Sequence, residues 1–233
     1  MAQVVAREGV ERAAVTRQLF EMLAGRPLPG WKAFAKTVDT MAFAAGEPLY
    51  ERETDHPYVY VILSGAVKIL AVNPRGTESL VGLGRPGEFV GSLRALAPAG
   101  LDGLVDVDMR GKTWMAGSAL GRTDSSAVAV TDCVVERLDY RIVQKRMRKR
   151  VEWAIAVFHT AVHYGLTEEG RARELLMYTA EERYRNFRVN YPDLLGVLPQ
   201  KDIGSYIGVT PVGISRIATR VRAQQASTNG AAR

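Results

Sequence analysis

The chain has 233 residues, a formal net charge of +6 and an isoelectric point near 9.5, with 47% hydrophobic and 24% charged residues. This composition is typical of a globular protein of one or two domains, and the positive charge suits a polyanionic partner such as nucleic acid. The single cysteine excludes an internal disulfide and the thiolate set of an iron–sulfur cluster. No apolar run reaches the roughly 18 residues that span a bilayer, and the charged N-terminus does not fit a signal peptide. We therefore expect a cytoplasmic protein with no membrane contact.

The first segment, residues 1–39, is predicted to hold one helix followed by a loop. Its apolar residues recur at helical spacing, and Gly25 with the following RPLPG ends the pattern. These apolar positions are Val15, Leu19, Phe20, Met22 and Leu23.

Residues 40–140 change to short apolar stretches that are separated by glycines. Alternation and β-branched residues indicate an antiparallel β-sandwich or barrel. Cys133 lies in the apolar stretch AVAVTDCVV, where we predict a packed strand residue. A metal enzyme of the cupin type is a competing interpretation, but it needs several His or Glu ligands on facing strands, and this segment has one histidine, His56. We expect His56 to be a turn residue. For the protein we expect no metal, no cofactor and no catalytic site.

After Tyr140 the pattern becomes helical. The basic run Arg141 to Arg150 is typical of a solvated helix face. The helix that follows, within a region 141–178, carries an apolar stripe with alternating steps of four and three, which allows two helices to pack through knobs and holes. The alternative is that this stripe packs on the chain's own β-domain, because Gly165 and Glu169 interrupt it. We call the predicted dimer-interface positions the seam: Val151, Ile155, Phe158, Val162, Gly165 and Leu176.

The segment 179–222 is predicted to be a helix-turn-helix domain. Thr179 and Glu182 stand in capping-box relation, so a new helix begins there. A helix over 200–207 then ends at Gly208, and Thr210 is suited to cap a second helix over 211–222. Two helices joined by a short glycine turn can place the second in the major groove of DNA. The small polar residues 223–233 are predicted to be a disordered tail.

The second helix is predicted to bury Ile214, Ile217 and Val221 and to turn its polar residues outward. A helix-turn-helix that contacts protein instead of DNA is a competing interpretation, which the outward arginines disfavour. The predicted DNA-binding residues are Gln200, Lys201, Thr210, Pro211, Ser215, Arg216, Thr219, Arg220 and Arg222. Ser215 and Arg216 are the first candidates for base reading, because an arginine can bind a guanine through two hydrogen bonds.

The ordered combination of motifs over residues 40–222 resembles the CRP/FNR family. The motifs are the strand end at 62–65 (ILSG), GEF at 87–89 with Gly91, and the block from Gln200 to Ile217. The resemblance implies an α+β fold with an N-terminal antiparallel β-roll, a jelly roll of the cyclic-nucleotide-binding type, then a long dimerisation helix and a C-terminal helix-turn-helix. It implies a homodimeric bacterial transcription regulator that binds a palindromic operator in double-stranded DNA, with RNA polymerase as a further candidate partner.

Two positions depart from what the family uses to bind a cyclic nucleotide. Ser92 follows Gly91 where the family has a ribose-binding glutamate, and Thr123 stands where the family has a phosphate-binding arginine, with Arg122 one place away. A buried anion needs a compensating cation, so we predict that cyclic AMP does not bind in the family's usual pose. The alternative is a regulator that responds to a cyclic nucleotide or another small ligand through a remodelled pocket. Its candidate ligand-binding residues are Gly91, Ser92, Arg122, Thr123, Ser125 and Glu168.

The segment 95–121 is enlarged relative to the family pattern. It contains the strand-like pieces LVDVDM and KTWMAG, and AGSALGR is an alternative position for a cassette helix. If an effector exists, we expect it to act here, at the contact with the long helix. A haem sensor would need axial ligands. His159 and His163 are spaced i, i+4, but no third ligand is evident, so ordinary surface or interface roles are favoured.

Overall fold

A computed structural model of the chain describes residues 3–4, 12–73, 76–96 and 121–230, with side chains up to residue 224 in the last range. The strands and the helix predicted within 95–121 fall on residues 97–120, outside the described residues. None of the described helices is both long and apolar enough to cross a membrane.

Nine described strands form two antiparallel sheets. One sheet has the order β1-β2-β9-β4-β7 and the other β3-β8-β5-β6. The strand bounds are β1 (Gln3–Val4), β2 (Asp39–Phe43), β3 (Pro48–Tyr50), β4 (Tyr58–Ser64), β5 (Val67–Val72), β6 (Glu78–Gly84), β7 (Phe89–Val90), β8 (Ser125–Ala129) and β9 (Cys133–Asp139). The predicted α+β class with an antiparallel β-roll is confirmed.

The interior of the β-sandwich is built from alternate strand residues of both sheets. Val67, Ala127 and Val135 are buried in one apolar cluster together with Cys133. Burial raises the pKa of the Cys133 thiol, as expected for a packed residue and not a reactive one. The predicted strand role of Cys133 is therefore confirmed.

Two helices precede the sandwich. Helix α1 (Ala14–Ala24) ends at Gly25, which has a left-handed backbone, as predicted. Helix α2 (Trp31–Ala35) was not predicted, because five residues are too short to display a helical period. Strand β1 also lies in this segment and pairs with β2. The description of residues 1–39 as one helix and a loop is therefore incomplete.

A short helix, α3 (Leu93–Leu96), follows β7, and the chain leaves the sandwich after β9 through α4 (Tyr140–Met147) and the long helix α5 (Val151–Met177). The start of α5 is fixed by aromatic packing. Trp153 is fully buried, its ring lies 4.7 Å from that of Phe34 and 5.9 Å from that of Trp31, and its Nε1 donates a hydrogen bond to Pro29 O. This end of α5 is therefore part of the hydrophobic core that it shares with α1, α2 and the sandwich.

The C-terminal head, residues 179–230, contains α6 (Ala180–Asn190), a short 3₁₀ helix (Pro192–Leu194), α7 (Gln200–Tyr206) and α8 (Pro211–Gly230). The predicted capping box at the start of α6 is confirmed, with both reciprocal hydrogen bonds between Thr179 and Glu182. The prediction of a disordered tail from 223 is wrong as far as Gly230, where α8 ends. Alanine and glutamine favour helix, so the Ala-Gln-Gln-Ala sequence continues α8 beyond its predicted end at 222.

The head packs directly on the β5-β6 side of the sandwich. Ala66 and Leu80 of the sandwich lie in the same buried cluster as the head residues Ile203 and Ile214. Lys68 Nζ lies 3.0 Å from Asp202 Oδ2, and both side chains are mostly covered. The backbone N–H of Leu80 donates to Ser205 Oγ at 2.9 Å. The position of the head relative to the sandwich is therefore fixed by polar as well as apolar contacts.

Candidate nucleic-acid interface

Helices α7 and α8 form the helix-turn-helix, and two glycines allow their close approach. Gly208 ends α7 with a φ of +73°, a conformation that glycine adopts without steric cost. A Cβ on Gly204 would lie 2.9 Å from Ile214 Cγ2, closer than side chains tolerate, so only glycine fits at this crossing. Thr210 Oγ1 accepts a hydrogen bond from Gly213 N and caps α8, as predicted.

The inner face of α8 differs slightly from the prediction. Ile214 and Val221 are buried as expected, but Ala218 is fully buried while Ile217 is only partly covered. The inward face is thus shifted by one residue along part of the helix, because the small Ala218 packs closest to the other helices of the head.

Ser215, Arg216 and Thr219 all lie on the exposed face of α8. Arg216 makes no hydrogen bond or ion pair with any residue that the structure describes. Thr219 Oγ1 donates to Ser215 O at 3.0 Å, a bond internal to the helix that leaves both residues at the surface. The best candidates for base reading are therefore open to solvent.

Two other arginines of α8 have partners within the chain. Arg220 Nη1 lies 3.2 Å from Glu181 Oε2 at the start of α6, and Arg222 Nε donates to Ala218 O. The remaining predicted DNA-binding residues are Gln200, Lys201, Thr210 and Pro211, and all four are exposed at the starts of α7 and α8. The predicted set therefore occupies one edge of the helix-turn-helix, with Arg220 held in an exposed ion pair.

Arginines from α5 and α6 fasten the turn of the helix-turn-helix to the long helix. Arg171 Nη2 donates to Tyr206 O, and its guanidinium lies 3.8 Å from the centre of the Tyr206 ring. Arg183 donates through Nε to Ile207 O and through Nη1 to Leu175 O and Tyr178 O. Sequence reasoning missed both arginines, because nothing in the local pattern distinguishes them from surface charges.

The predicted seam lies on the outer face of α5. Trp153 and Ala156 face the core, whereas Phe158 is 63% exposed and Leu176 is 86% exposed. Every residue from 161 to 170 is exposed. Five of the six seam residues are exposed and one is half-covered: Val151, Phe158, Val162, Gly165 and Leu176, with Ile155 intermediate. The alternative that this stripe packs on the chain's own β-domain is therefore wrong.

The predicted ligand-binding residues do not form one open site. Thr123 is fully buried, and its hydroxyl donates to Glu51 O while accepting from Thr54 N. Arg122 donates to Glu53 O at the surface. These two residues therefore hold the turn at 51–54, and a role for them in ligand contact is not supported.

Two of the remaining candidates, Ser92 and Ser125, meet where the chain after β7 approaches the start of β8. Gly91 follows β7, and Ser92 and Ser125 are buried beside it. Glu168 is exposed on α5. Burial raises the pKa of the nearby Tyr164, and the charge of Glu168 acts in the same direction. The structure thus brings Ser92, with its neighbour Gly91, close to Ser125, whereas Glu168 lies exposed on α5.

A charged pair that sequence reasoning missed lies beside these two serines. Asp124 Oδ1 accepts hydrogen bonds from Ser92 Oγ and Ser125 Oγ, each at 3.3 Å. Arg94 Nε lies 3.4 Å from Asp124 Oδ2, and only 17% of the Arg94 side chain is exposed. No local pattern pairs Arg94 with Asp124, and the sequence points to Arg122 as the cation beside Thr123.

The three histidines do not assemble into a metal site. His159 Nδ1 donates to Leu23 O at 2.7 Å, and His163 is exposed. His56 lies in the loop before β4, as predicted, where burial lowers its pKa to about 4. Within the described ranges, no group of three His, Cys, Asp or Glu side chains is placed to hold a metal ion.

Residues 40–103 match the family of the cyclic nucleotide-binding domain. FixK2 from Bradyrhizobium japonicum shares 19% identity and a TM-score of 0.61 over 81% of this chain and 86% of that one. A regulator assigned to the CRP/FNR family from Eubacterium rectale shares 12% identity and a TM-score of 0.62 over 83% and 82%. The c-di-GMP-responsive global regulator CLP from Xanthomonas campestris shares 14% identity and a TM-score of 0.55 over 84% and 91%.

The chain has the CRP/FNR fold. This confirms the sequence resemblance at the level of architecture, with the cyclic nucleotide-binding domain in the sandwich and the helix-turn-helix in the head. A comparison with curated protein sequences gives no match.

Proposed function

We propose that this chain is a homodimeric, sequence-specific DNA-binding transcription regulator. The observation that carries the proposal is the exposed face of α8, on which Arg216 has no partner among the described residues. Helix α8 has 20 residues and is therefore about 30 Å long, enough to lie in a major groove. An exposed, unpaired arginine on such a helix is suited to a guanine edge or a phosphate.

Dimerisation through α5 would present two such helices. An apolar stripe of this length is unusual on a monomer surface and is covered when two copies pair along the seam. Twofold symmetry then places the recognition helices on successive major grooves, about 34 Å apart. The operator should therefore be an imperfect palindrome.

Within each head we assign base reading to Arg216 and Ser215, followed by Thr219 and Arg220. The ion pair of Arg220 with Glu181 is exposed, and such pairs contribute only about 0–1 kcal/mol, so DNA can displace it. Pro211 can offer only apolar contacts. The residues assigned to phosphate contacts are Gln200, Lys201, Thr210 and Arg222.

We further propose that cyclic AMP in the family's usual pose does not control this regulator. Two observations support this proposal. Ser92 stands where the family has a ribose-binding glutamate. Thr123 stands where the family has a phosphate-binding arginine, and it is fully buried with its hydroxyl bonded to the turn at 51–54. The second candidate is control by another small ligand. In its support, Asp124 accepts hydrogen bonds from Ser92 and Ser125 at the start of β8, and burial raises the pKa of Tyr164 on α5 with smaller contributions from Glu168 and Asp124. A ligand there could shift α5 and with it the heads.

The experiment compares two variants on two duplexes. The wild type should shift a duplex selected from a random pool in a mobility assay, with and without cyclic AMP. Arg216→Ala should weaken that complex by about tenfold to hundredfold and change binding to a scrambled duplex much less. Lys201→Ala is the matched control: it should weaken both duplexes alike and lower the salt slope by about one unit. Equal losses on both duplexes for Arg216→Ala would contradict its assigned role.

A further inference from the structure

A carboxylate from α6 lies beside the exposed arginines of α8. Glu181, the second residue of α6, has its Oε2 3.2 Å from Arg220 Nη1, and its Oε1 accepts a hydrogen bond from Arg185 Nη2 at 2.9 Å. The Glu181 side chain is 22% exposed, whereas the Arg220 side chain is 62% exposed. One mostly covered anion is thus held between a cation of α6 and a cation of α8.

Glu181 is held in its charged form. The hydrogen bond from Arg185 lowers the pKa of the Glu181 carboxyl, and the contact with Arg220 acts in the same direction. Arg185 also donates a hydrogen bond to Gln224 Oε1 at 2.5 Å, so it has a second contact on α8. Loss of the Glu181 charge would therefore leave Arg185 attached to α8 and would take away the carboxylate that Arg220 contacts.

Arg216 and Arg220 differ in this one respect. They lie one helical turn apart on α8, and both are exposed. Arg220 faces the Glu181 carboxylate, whereas Arg216 has no partner among the described residues. Arg185, Glu181 and Arg220 line a surface groove of about 640 Å³ between the start of α6 and α8. A phosphate oxygen that enters this groove competes with the carboxylate for Arg220, and the two anions repel each other.

We infer that Glu181 is an internal competitor of DNA for Arg220 and lowers the affinity of each head for any duplex. The inference rests on the proposed function, because it assumes that the exposed face of α8 meets DNA. An exposed ion pair is weak, so this competition moderates DNA binding and does not prevent it.

The test is a double-mutant cycle on the full chain with the near-isosteric Glu181→Gln and with Arg220→Ala. Binding to the selected and the scrambled duplex is measured by fluorescence anisotropy at several salt concentrations. Glu181→Gln should tighten both complexes by about threefold to tenfold, because each head gains an uncompensated cation. The salt dependence should become steeper by about one unit for each head that contacts the duplex. Arg220→Ala should cost more affinity in the Glu181→Gln background than in the wild type.

Glu53→Gln is the matched control. Glu53 Oε1 lies 3.1 Å from Arg52 Nη2 in the sandwich, so this variant removes the same charge from a similar exposed pair that is not on the head. Equal gains for Glu53→Gln and Glu181→Gln would reduce the effect to net charge and overturn the inference. Equal losses from Arg220→Ala in both backgrounds would also overturn it, because Glu181 would then not hold Arg220 back. Wild-type affinity of Glu181→Gln at an unchanged melting temperature has the same meaning.

Arg220→Ala alone keeps the inference testable if Glu181→Gln is unstable. This variant leaves α6 intact, and a cation that Glu181 holds contributes little to a duplex that cannot replace the carboxylate. It should therefore weaken the scrambled complex less than Lys201→Ala does. A loss as large as that of Lys201→Ala would contradict the inference.

Elution from a heparin column separates this inference from the proposed function. Heparin is a polyanion without bases, so it can contact the face of α8 even if that face does not read DNA. Glu181→Gln should elute at a higher salt concentration than the wild type and Glu53→Gln. If the wild type ignores every duplex while this order holds, the proposed function is wrong and the competition for Arg220 stands. If all three proteins elute together, the inference is wrong.

Discussion

The head and the sandwich both carry arginines suited to an anion, but these arginines differ in exposure and in their partners. On α8 the guanidinium of Arg216 is exposed and has no partner among the described residues. In the sandwich, Arg94 is mostly covered and faces Asp124 at 3.4 Å. An external polyanion can reach Arg216 at little cost, whereas an anion at Arg94 would compete with the Asp124 carboxylate. The difference supports the proposal that the head meets DNA directly and that the sandwich is not adapted to a cyclic phosphate.

The long helix α5 connects these two regions and is itself divided. Its first turns are fixed in the hydrophobic core beside the sandwich through Trp153, while the residues from 161 to 170 are all exposed. The head is attached to the far end through Arg171 and Arg183. Because the head also packs on the sandwich through Ala66, Leu80 and the Lys68–Asp202 ion pair, a shift of α5 that moves the head must also change these contacts.

The largest effect is expected from a substitution that disrupts the seam. It should remove DNA binding and leave the fold of the sandwich unchanged. Phe158→Glu places a charge at the centre of the seam, and twofold symmetry brings two such charges together. We expect the mass in analytical ultracentrifugation to fall from dimer to monomer. The affinity for a palindromic duplex should fall at least hundredfold, because the second head no longer binds as part of the same molecule.

The control for this variant is Val189→Glu. It introduces the same charge at a residue of α6 that is 78% exposed and lies outside the seam. It should stay dimeric. If Phe158→Glu also stays dimeric and binds the palindrome with wild-type affinity, the proposed role of the seam is wrong.

A smaller effect is expected at the contact between the two regions. Lys68 and Asp202 form an ion pair across the sandwich and the head, with side chains 23% and 13% exposed. A double-mutant cycle with Lys68→Ala and Asp202→Ala, followed by urea denaturation, should give a coupling energy of about 1 kcal/mol. The exposed pair of Glu169 and Arg173 on α5 is the control and should give less than about 0.5 kcal/mol. Equal couplings for the two pairs would mean that the head is not fixed by this contact.

Much of the fold could be predicted because local patterns and tertiary structure agree. The glycine turn at Gly208, the cap at Thr210 and the capping box of Thr179 and Glu182 all follow from backbone conformation and local hydrogen bonds, which a sequence displays directly. The apolar stripe on α5 was visible for the same reason. Helix α2 and the extension of α8 to Gly230 were missed because a short helix has no measurable period and because polar helix formers resemble a tail.

The contacts of Ser92, Arg94 and Asp124 could be predicted only in part, because they join residues distant in sequence. The missing glutamate and arginine were evident from Ser92 and Thr123. The pairing of Arg94 with Asp124 spans α3 and β8, and no local pattern shows it. The partners of Thr123 in the turn at 51–54 are likewise non-local. The sequence therefore showed that the family's glutamate and arginine are absent, and the structure showed that Arg94 and Asp124 face each other in this region.

The most direct test of the central claim, that two outward α8 helices read DNA together, is a half-site spacing series. Binding of the wild-type dimer is measured by fluorescence anisotropy on the selected palindrome and on variants with two, five and ten base pairs inserted at its centre. Five base pairs place one half-site on the opposite face of the duplex, so we predict an affinity loss of at least thirtyfold, on the order of avidity effects, relative to the uninterrupted site. Equal affinity for all spacings would contradict the account.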